Sequence, residues 1–268
     1  DSTNAQVPGV TPSELSVRPA LRRALSETER RVVVVTFASN LARIRQTLEL
    51  AHELGRRCCL VGWSMLRNFE AGVSLGFLRA QPGLLAQPRE LPGIAPSRLC
   101  LLATGSQGEP LAALSRIAAG VHPFVHLDPG DLVVLAANPI PGNEAAVSAM
   151  INQLLARGLR VLAGSADGVH ASGHAAREEL RLMLELLEPQ CFIPVHGEVR
   201  HLTAHLQLAR ECGVGPPSSA AVDNGQVVET RGERLEVTGQ VQVGAVPILS
   251  PPPSPGPVRA PAPLPGTA

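Results

Sequence analysis

The 268-residue sequence predicts an α/β fold: a mostly parallel sheet flanked by helices. Two observations carry that reading. Short apolar, β-branched runs alternate with segments whose apolar residues recur every three to four positions, the pattern of strands joined by helical crossovers. Most of the runs also end in loops of Gly, Ser, Thr and Asn that lead directly into the next helical segment.

Taken in order, the chain opens on Asp1-Ser2-Thr3-Asn4, and residues 7–16 form a Pro/Gly-rich loop. Residues 19–30 read as a helix with Leu21 and Leu25 inward. Residues 31–36 (RVVVVT) centre on a β-branched run that suits a parallel strand buried on both faces. Ser39 or Asn40 caps a helix over residues 41–54, and Gly55 ends it. Residues 58–61 form a second strand, and Gly62-Trp63-Ser64-Met65 opens a helix running to about residue 78. A Pro-rich connection over residues 81–97 leads to a third strand, 98–103, and a helix over 110–119. Strand 131–136, helix 142–157 and strand 159–163 complete the alternation.

Beyond it, Leu180, Met183, Leu184, Leu186 and Leu187 fall at helical spacing, which predicts an amphipathic helix over residues 175–187. Residues 191–195 read as a short buried strand. The next helix runs through about Arg210, with His201 and His205 on a solvated face. Residues 220–223, 225–229 and 235–243 read as terminal strands, with Asn224-Gly225 as a hairpin turn. Pro, Ala, Gly and Ser dominate residues 244–268, which cannot bury a core and read as a disordered tail.

Composition narrows the function. Net charge is zero and the pI about 7.2, so no global field attracts a polyanion, and contact with nucleic acid must use a local patch. All 23 cations are arginine. Aromatics make up 2% of the chain, too few for an extended base-stacking platform. Five cysteines, with no C-x-x-C pair and most in apolar runs, read as free thiols of a reducing, cytoplasmic compartment. No signal peptide or long apolar span is visible, so no membrane partner is expected.

The candidate chemistry lies in loops. Ligands bind open parallel sheets at the carboxyl ends of the strands. The loops at 36–40, 104–109, 138–144 and 169–174 all follow strand-like segments and lead into helices. Main-chain N–H groups beside small side chains there suit phosphate, although any one such loop is also an ordinary capped turn. His174 stands behind Ser172-Gly173, and His196 in Pro194-Val195-His196-Gly197-Glu198. A single loop histidine is usually solvated. Two of them, at element ends either side of one helix and a return strand, point to a common sheet edge.

Six motifs then occur in a fixed order: Asp-Ser-Thr-Asn (1–4), Thr-Phe-Ala-Ser-Asn (36–40), Thr-Gly-Ser-Gln-Gly-Glu (104–109), Pro-Ile-Pro-Gly-Asn-Glu (139–144), Val-His-Ala-Ser-Gly-His-Ala (169–175) and Pro-Val-His-Gly-Glu (194–198). As a set they resemble ribonuclease J, of the β-CASP branch of the metallo-β-lactamase superfamily, over roughly residues 1–243. The resemblance implies a β-CASP domain at 17–163 inserted in a metallo-β-lactamase αββα fold. Residues 1–16 and 164–243 are then the parts of the host fold present, and 244–268 the tail.

It also implies a nuclease with two zinc ions that acts on RNA as a 5′-to-3′ exonuclease and endonuclease. Homo-oligomers and other RNA-decay proteins are its implied partners. Asp1 matches motif A, His174 motif B and His196 motif C. In the family the motif C histidine ligates zinc, the motif B histidine faces the scissile phosphate, and the motif A acid orients it. Ser39, Asn40, Ser172 and Gly173 would cradle RNA phosphates.

Two departures stand beside these matches. The H-x-H-x-D-H ligand signature does not occur in these 268 residues, and Trp63 stands where the resemblance implies an arginine. The metal site is therefore expected to be incomplete in this chain and the chain inactive alone. The alternative is a non-catalytic RNA- or partner-binding β-CASP module.

Overall fold

A computed structural model describes residues 1–244. The prediction of a tail falls almost wholly outside them. The described chain divides into two compact units, Val7–Glu179 and a smaller one of Asp1–Gln6 with the residues from Leu180 onward.

The larger unit is a five-stranded sheet. Its strands are β1 (Val32–Val35), β2 (Arg57–Val61), β3 (Leu99–Ala103), β4 (Leu132–Leu135) and β5 (Arg160–Ala163). They run in the order β2-β3-β1-β4-β5, and every neighbouring pair is parallel. Register follows the apolar runs: Val32 pairs with Cys100 on one side and Leu132 on the other. All four residues of β1 are fully buried, because β1 is central and both faces are covered.

The pleat then sorts side chains between two cores. Val32 and Val34 face Leu21 and Leu25 of α1 (Arg18–Ser26), Ile44 and Leu48 of α2 (Leu41–Glu53), and Met65 and Phe69 of α3 (Trp63–Ser74). Val33 and Val35 face Leu114 and Ile117 of α4 (Ala113–Ala118), and Met150 and Leu154 of α5 (Glu144–Ala156). The N-cap of α2 is Asn40, whose side-chain oxygen accepts from Arg43 N at 2.9 Å. Helix α4 starts three residues later than its sequence implies. Gly108 takes a left-handed φ of 73°, and Leu114 N is drawn to Thr104 O at 3.0 Å, so the residues between form turns.

The smaller unit departs further from expectation. Helix α6 (Arg177–Leu187), within which the two units divide, buries Leu180 and Leu184, but Met183, Leu186 and Leu187 are exposed. Residues 191–195 make no strand: Phe192 forms one isolated bridge to Ser219, and Pro194 has no N–H with which to extend it. Residues 220–223 are not a strand either. Strands β6 (Gln226–Arg231) and β7 (Arg234–Gln240) pair antiparallel across the two-residue loop Gly232-Glu233, so the hairpin turn is there and not at Asn224-Gly225.

Helix α7 (Val199–Glu211) corrects the placement of its histidines. His201 and His205 are buried, not solvated. Three apolar residues of the helix, Leu206, Leu208 and Ala209, are buried with them, and the imidazoles find partners inside. The five cysteines are free thiols, with Cys58, Cys59 and Cys100 buried. Among the described residues no helix is long and apolar enough to cross a membrane.

Candidate active site

In the larger unit, the chain leaving β5 returns along the carboxyl ends of the strands, and one buried cation holds it there. Arg43 of α2 is fully buried. Its Nη1 donates to Ala136 O, just beyond β4, at 3.0 Å, and to Val169 O at 2.7 Å. Its remaining nitrogens engage the Glu14 carboxylate. One guanidinium therefore satisfies two main-chain carbonyls and a carboxylate, and pins the start of the 169–174 loop at the end of β4.

From Val169 the loop runs to His174, whose N–H donates to Ser172 Oγ at 3.1 Å. Thr11 closes the turn from the other side: its hydroxyl donates to His174 O at 2.8 Å. Glu179, in the first turn of α6, accepts from Thr11 N at 2.8 Å and Ala176 N at 2.9 Å. The Thr11 N–H is the main reason its carboxyl titrates below the usual range. His174 is thus half-buried on a main chain fixed at both ends. A Cβ on Gly173 would meet nothing within 4 Å, so the backbone there faces open space. Ser39 is exposed at the end of the β1 loop. Asn40 beside it is half-buried, with its carboxamide oxygen committed to the α2 cap.

In the smaller unit, Asp1 and His196 are brought together. Asp1 Oδ2 lies 3.2 Å from His196 Nδ1, while Asp1 Oδ1 accepts from Thr3 N at 2.9 Å. Ser2 N donates to His196 O at 3.1 Å. His196 sits at a left-handed φ of 57°, a strained conformation for a side-chain-bearing residue, held by these bonds. An ionised carboxylate only accepts, so Nδ1 is the donor in this pair. A carboxylate on one ring nitrogen is also the support that metal-ligating imidazoles commonly have.

Behind the pair is a buried support that the sequence did not flag. Ser2 Oγ donates to Val195 O at 2.9 Å and lies 3.0 Å from His205 Nδ1. A hydroxyl has one proton, so His205 is the donor in that contact. Phe192 packs edge-on against His205, with centroids 4.8 Å apart. His201 Nδ1 accepts from Glu198 N at 3.1 Å, and a Cβ on Gly197 would stand 2.9 Å from His201 Cβ, so the glycine is sterically required.

Burial is the main cause that lowers the His205 pKa to about 4, with the amino terminus adding to it. The unfolded imidazole titrates near 6.5, so the unfolded state binds this proton first. Stability from this group is therefore full above about pH 6.5 and is lost as pH falls towards 4, by up to about 3 kcal/mol. Chemical denaturation at pH 7 and pH 4.5 should show this loss reduced in His205→Gln; an identical pH dependence in the variant would refute the assignment.

His196 can offer zinc one nitrogen donor, with the Asp1 carboxylate on its Nδ1 side. Zinc takes three or four protein ligands, more than this one residue supplies.

Residues 29–154 match the family model described as ribonuclease J, beta-CASP domain. Residues 158–216 match the model described as Zn-dependent metallo-hydrolase RNA specificity domain. These matches place the chain in the β-CASP class.

Among curated proteins, ribonuclease J of Synechocystis sp. is 44% identical over 244 residues, covering 91% of this chain and 38% of the relative. Ribonuclease J of Mycolicibacterium smegmatis is 41% identical, covering 91% and 44%, and that of Helicobacter pylori is 36% identical, covering 91% and 35%. The chain is similar to ribonuclease J proteins, through a β-CASP domain match and a metallo-hydrolase RNA specificity domain match. It spans about two fifths of the length of the curated relatives it matches.

Proposed function

We propose that this chain is part of a zinc-dependent ribonuclease that hydrolyses RNA phosphodiesters, as a 5′-to-3′ exonuclease and an endonuclease, in a reducing, cytoplasmic compartment. The observation that carries the reading is the Asp1–His196 pair, 3.2 Å apart, in a chain whose family matches run from residue 29 to 216. His196 is the metal ligand in this reading. His174 faces the scissile phosphate, donating to a phosphoryl oxygen as imidazolium or protonating the leaving oxygen. The Ser172-Gly173 backbone and the Ser39-Asn40 turn contact neighbouring phosphates through N–H and hydroxyl groups. The two zinc ions implied by the family need further ligands, which we assign to the part of the relatives that this chain does not span. We assign residues 17–163 to the β-CASP domain and the residues either side to the host fold. Homo-oligomers are the expected assembly.

Elemental analysis and an RNA cleavage assay test this, on the purified chain alone and after mixing with a separately expressed metallo-β-lactamase portion of a relative. Zinc at stoichiometric level and cleavage in the mixture only are expected. RNA binding with neither zinc nor cleavage in the mixture would replace the nuclease reading with that of a non-catalytic RNA-binding module.

A further inference from the structure

All five strands of the sheet are parallel, so their carboxyl ends share one edge. The 169–174 loop reaches that edge at β4, through Arg43. At the other end of the edge, β2 is followed by Gly62 and then Trp63, the first residue of α3. Gly62 has a φ of 115°, and a Cβ on it would stand 2.6 Å from Thr104 Oγ1, on the loop after β3. The chain therefore turns tightly against the β3 loop, and α3 must begin with its first side chain at the rim.

That side chain is an indole with 77% of its surface exposed, the sole tryptophan of the protein. The Arg67 guanidinium, one helical turn on, lies 5.7 Å from the ring centroid. A second aromatic, Phe37, is exposed on the same edge after β1. With strands about 4.8 Å apart, Phe37 lies roughly 10 Å from Trp63 along the edge, and the end of β4 roughly 14 Å.

A lone exposed apolar ring needs no ligand by itself, so the groups around it carry the inference. The surroundings select the ligand class. A protein partner would call for a continuous apolar surface. Here the ring stands beside a cation, and Gly62, the residue before it, packs against Thr104 of the β3 loop. A flat π-face flanked by a guanidinium suits an unpaired base, with its phosphate on the arginine.

We propose that Trp63 is a base-stacking, specificity-determining residue that selects single-stranded RNA, with Arg67 binding the adjoining phosphate. The inference rests on the RNA reading above and deepens it. It also gives a use to the position at which the sequence departs from the arginine that the resemblance implies.

Because Trp63 is the sole tryptophan, intrinsic emission reports on this residue alone. The experiment titrates the full chain with a fluorescein-labelled, 5′-monophosphorylated oligouridylate of about ten nucleotides. Anisotropy and tryptophan emission are followed together. The same backbone with abasic positions, and a blunt duplex, are run in parallel.

Quenching of Trp63 by the single strand is expected, with a roughly 10- to 100-fold loss of affinity in Trp63→Ala and near retention in Trp63→Phe. The abasic strand should bind wild type and Trp63→Ala alike. RNA binding by anisotropy with unchanged emission and an unaffected Trp63→Ala would overturn the stacking role and leave the RNA reading standing. Equal quenching by the duplex would overturn the selection for single strands. A concentration-dependent emission shift without RNA would assign the ring to self-association. Absence of RNA binding altogether would remove the RNA reading and this inference with it.

Discussion

Replacing His174 by alanine is expected to lower RNA cleavage at least about 100-fold in the zinc-loaded mixture, the usual contribution of a positioned proton donor. Two of the groups that fix residue 174 are main-chain atoms, its N–H on Ser172 Oγ and its carbonyl on Thr11 Oγ1, and alanine keeps both. RNA affinity, measured by anisotropy, should change little, because the phosphate contacts we propose come from Ser172, Gly173 and the β1 turn. The acidic limb of the pH–rate profile should survive, while the limb reporting the imidazolium disappears. Cleavage within a few-fold of wild type would remove His174 from the chemistry.

Substituting Arg43 with alanine is expected to destabilise the larger unit strongly. The guanidinium is fully buried, and its loss takes the donor from Val169 O and one donor from Ala136 O. Each unpaired buried carbonyl costs about 1–3 kcal/mol. Glu14 loses its partner too, but its side chain is 27% exposed and water recovers part of that loss. A total on the order of 3 kcal/mol follows, or roughly 6–12 °C in Tm. Arg43→Lys should be intermediate, since an ammonium cannot hold a carboxylate bidentately and also reach two carbonyls. Because Val169 leads the loop to His174, the alanine variant should also lose activity at temperatures where it remains folded. A Tm within about 2 °C of wild type would show that the contact network does not stabilise the fold.

How much of this was legible beforehand differs between the two units. The parallel sheet was readable because its signal is local and redundant. RVVVVT can be buried on both faces only in a central strand, and Asn40 and Gly55 bracket α2 by their own backbone preferences. The smaller unit was read less well, because its segments are short and their partners distant. Residues 191–195 have the composition of a strand, yet pair at a single bridge to Ser219. Met183, Leu186 and Leu187 have helical spacing but lie exposed, since periodicity reports which residues share a face and not what covers it.

For the site, the sequence by itself determined the residue types and their order: the acid at Asp1, the two histidines behind small residues, and the absence from these residues of the H-x-H-x-D-H signature. Those are properties of covalent spacing. Only the tertiary structure decided how they are supported. It paired Asp1 with His196, and it placed Ser2, from the start of the chain, against His205 of α7. It buried Arg43 so that one side chain ties Glu14 to the ends of β4 and the 169–174 loop. Those contacts join residues separated by 29 to 203 positions. An arginine, a serine or a histidine in such contacts carries no local periodicity or cap signature by which the sequence could announce it.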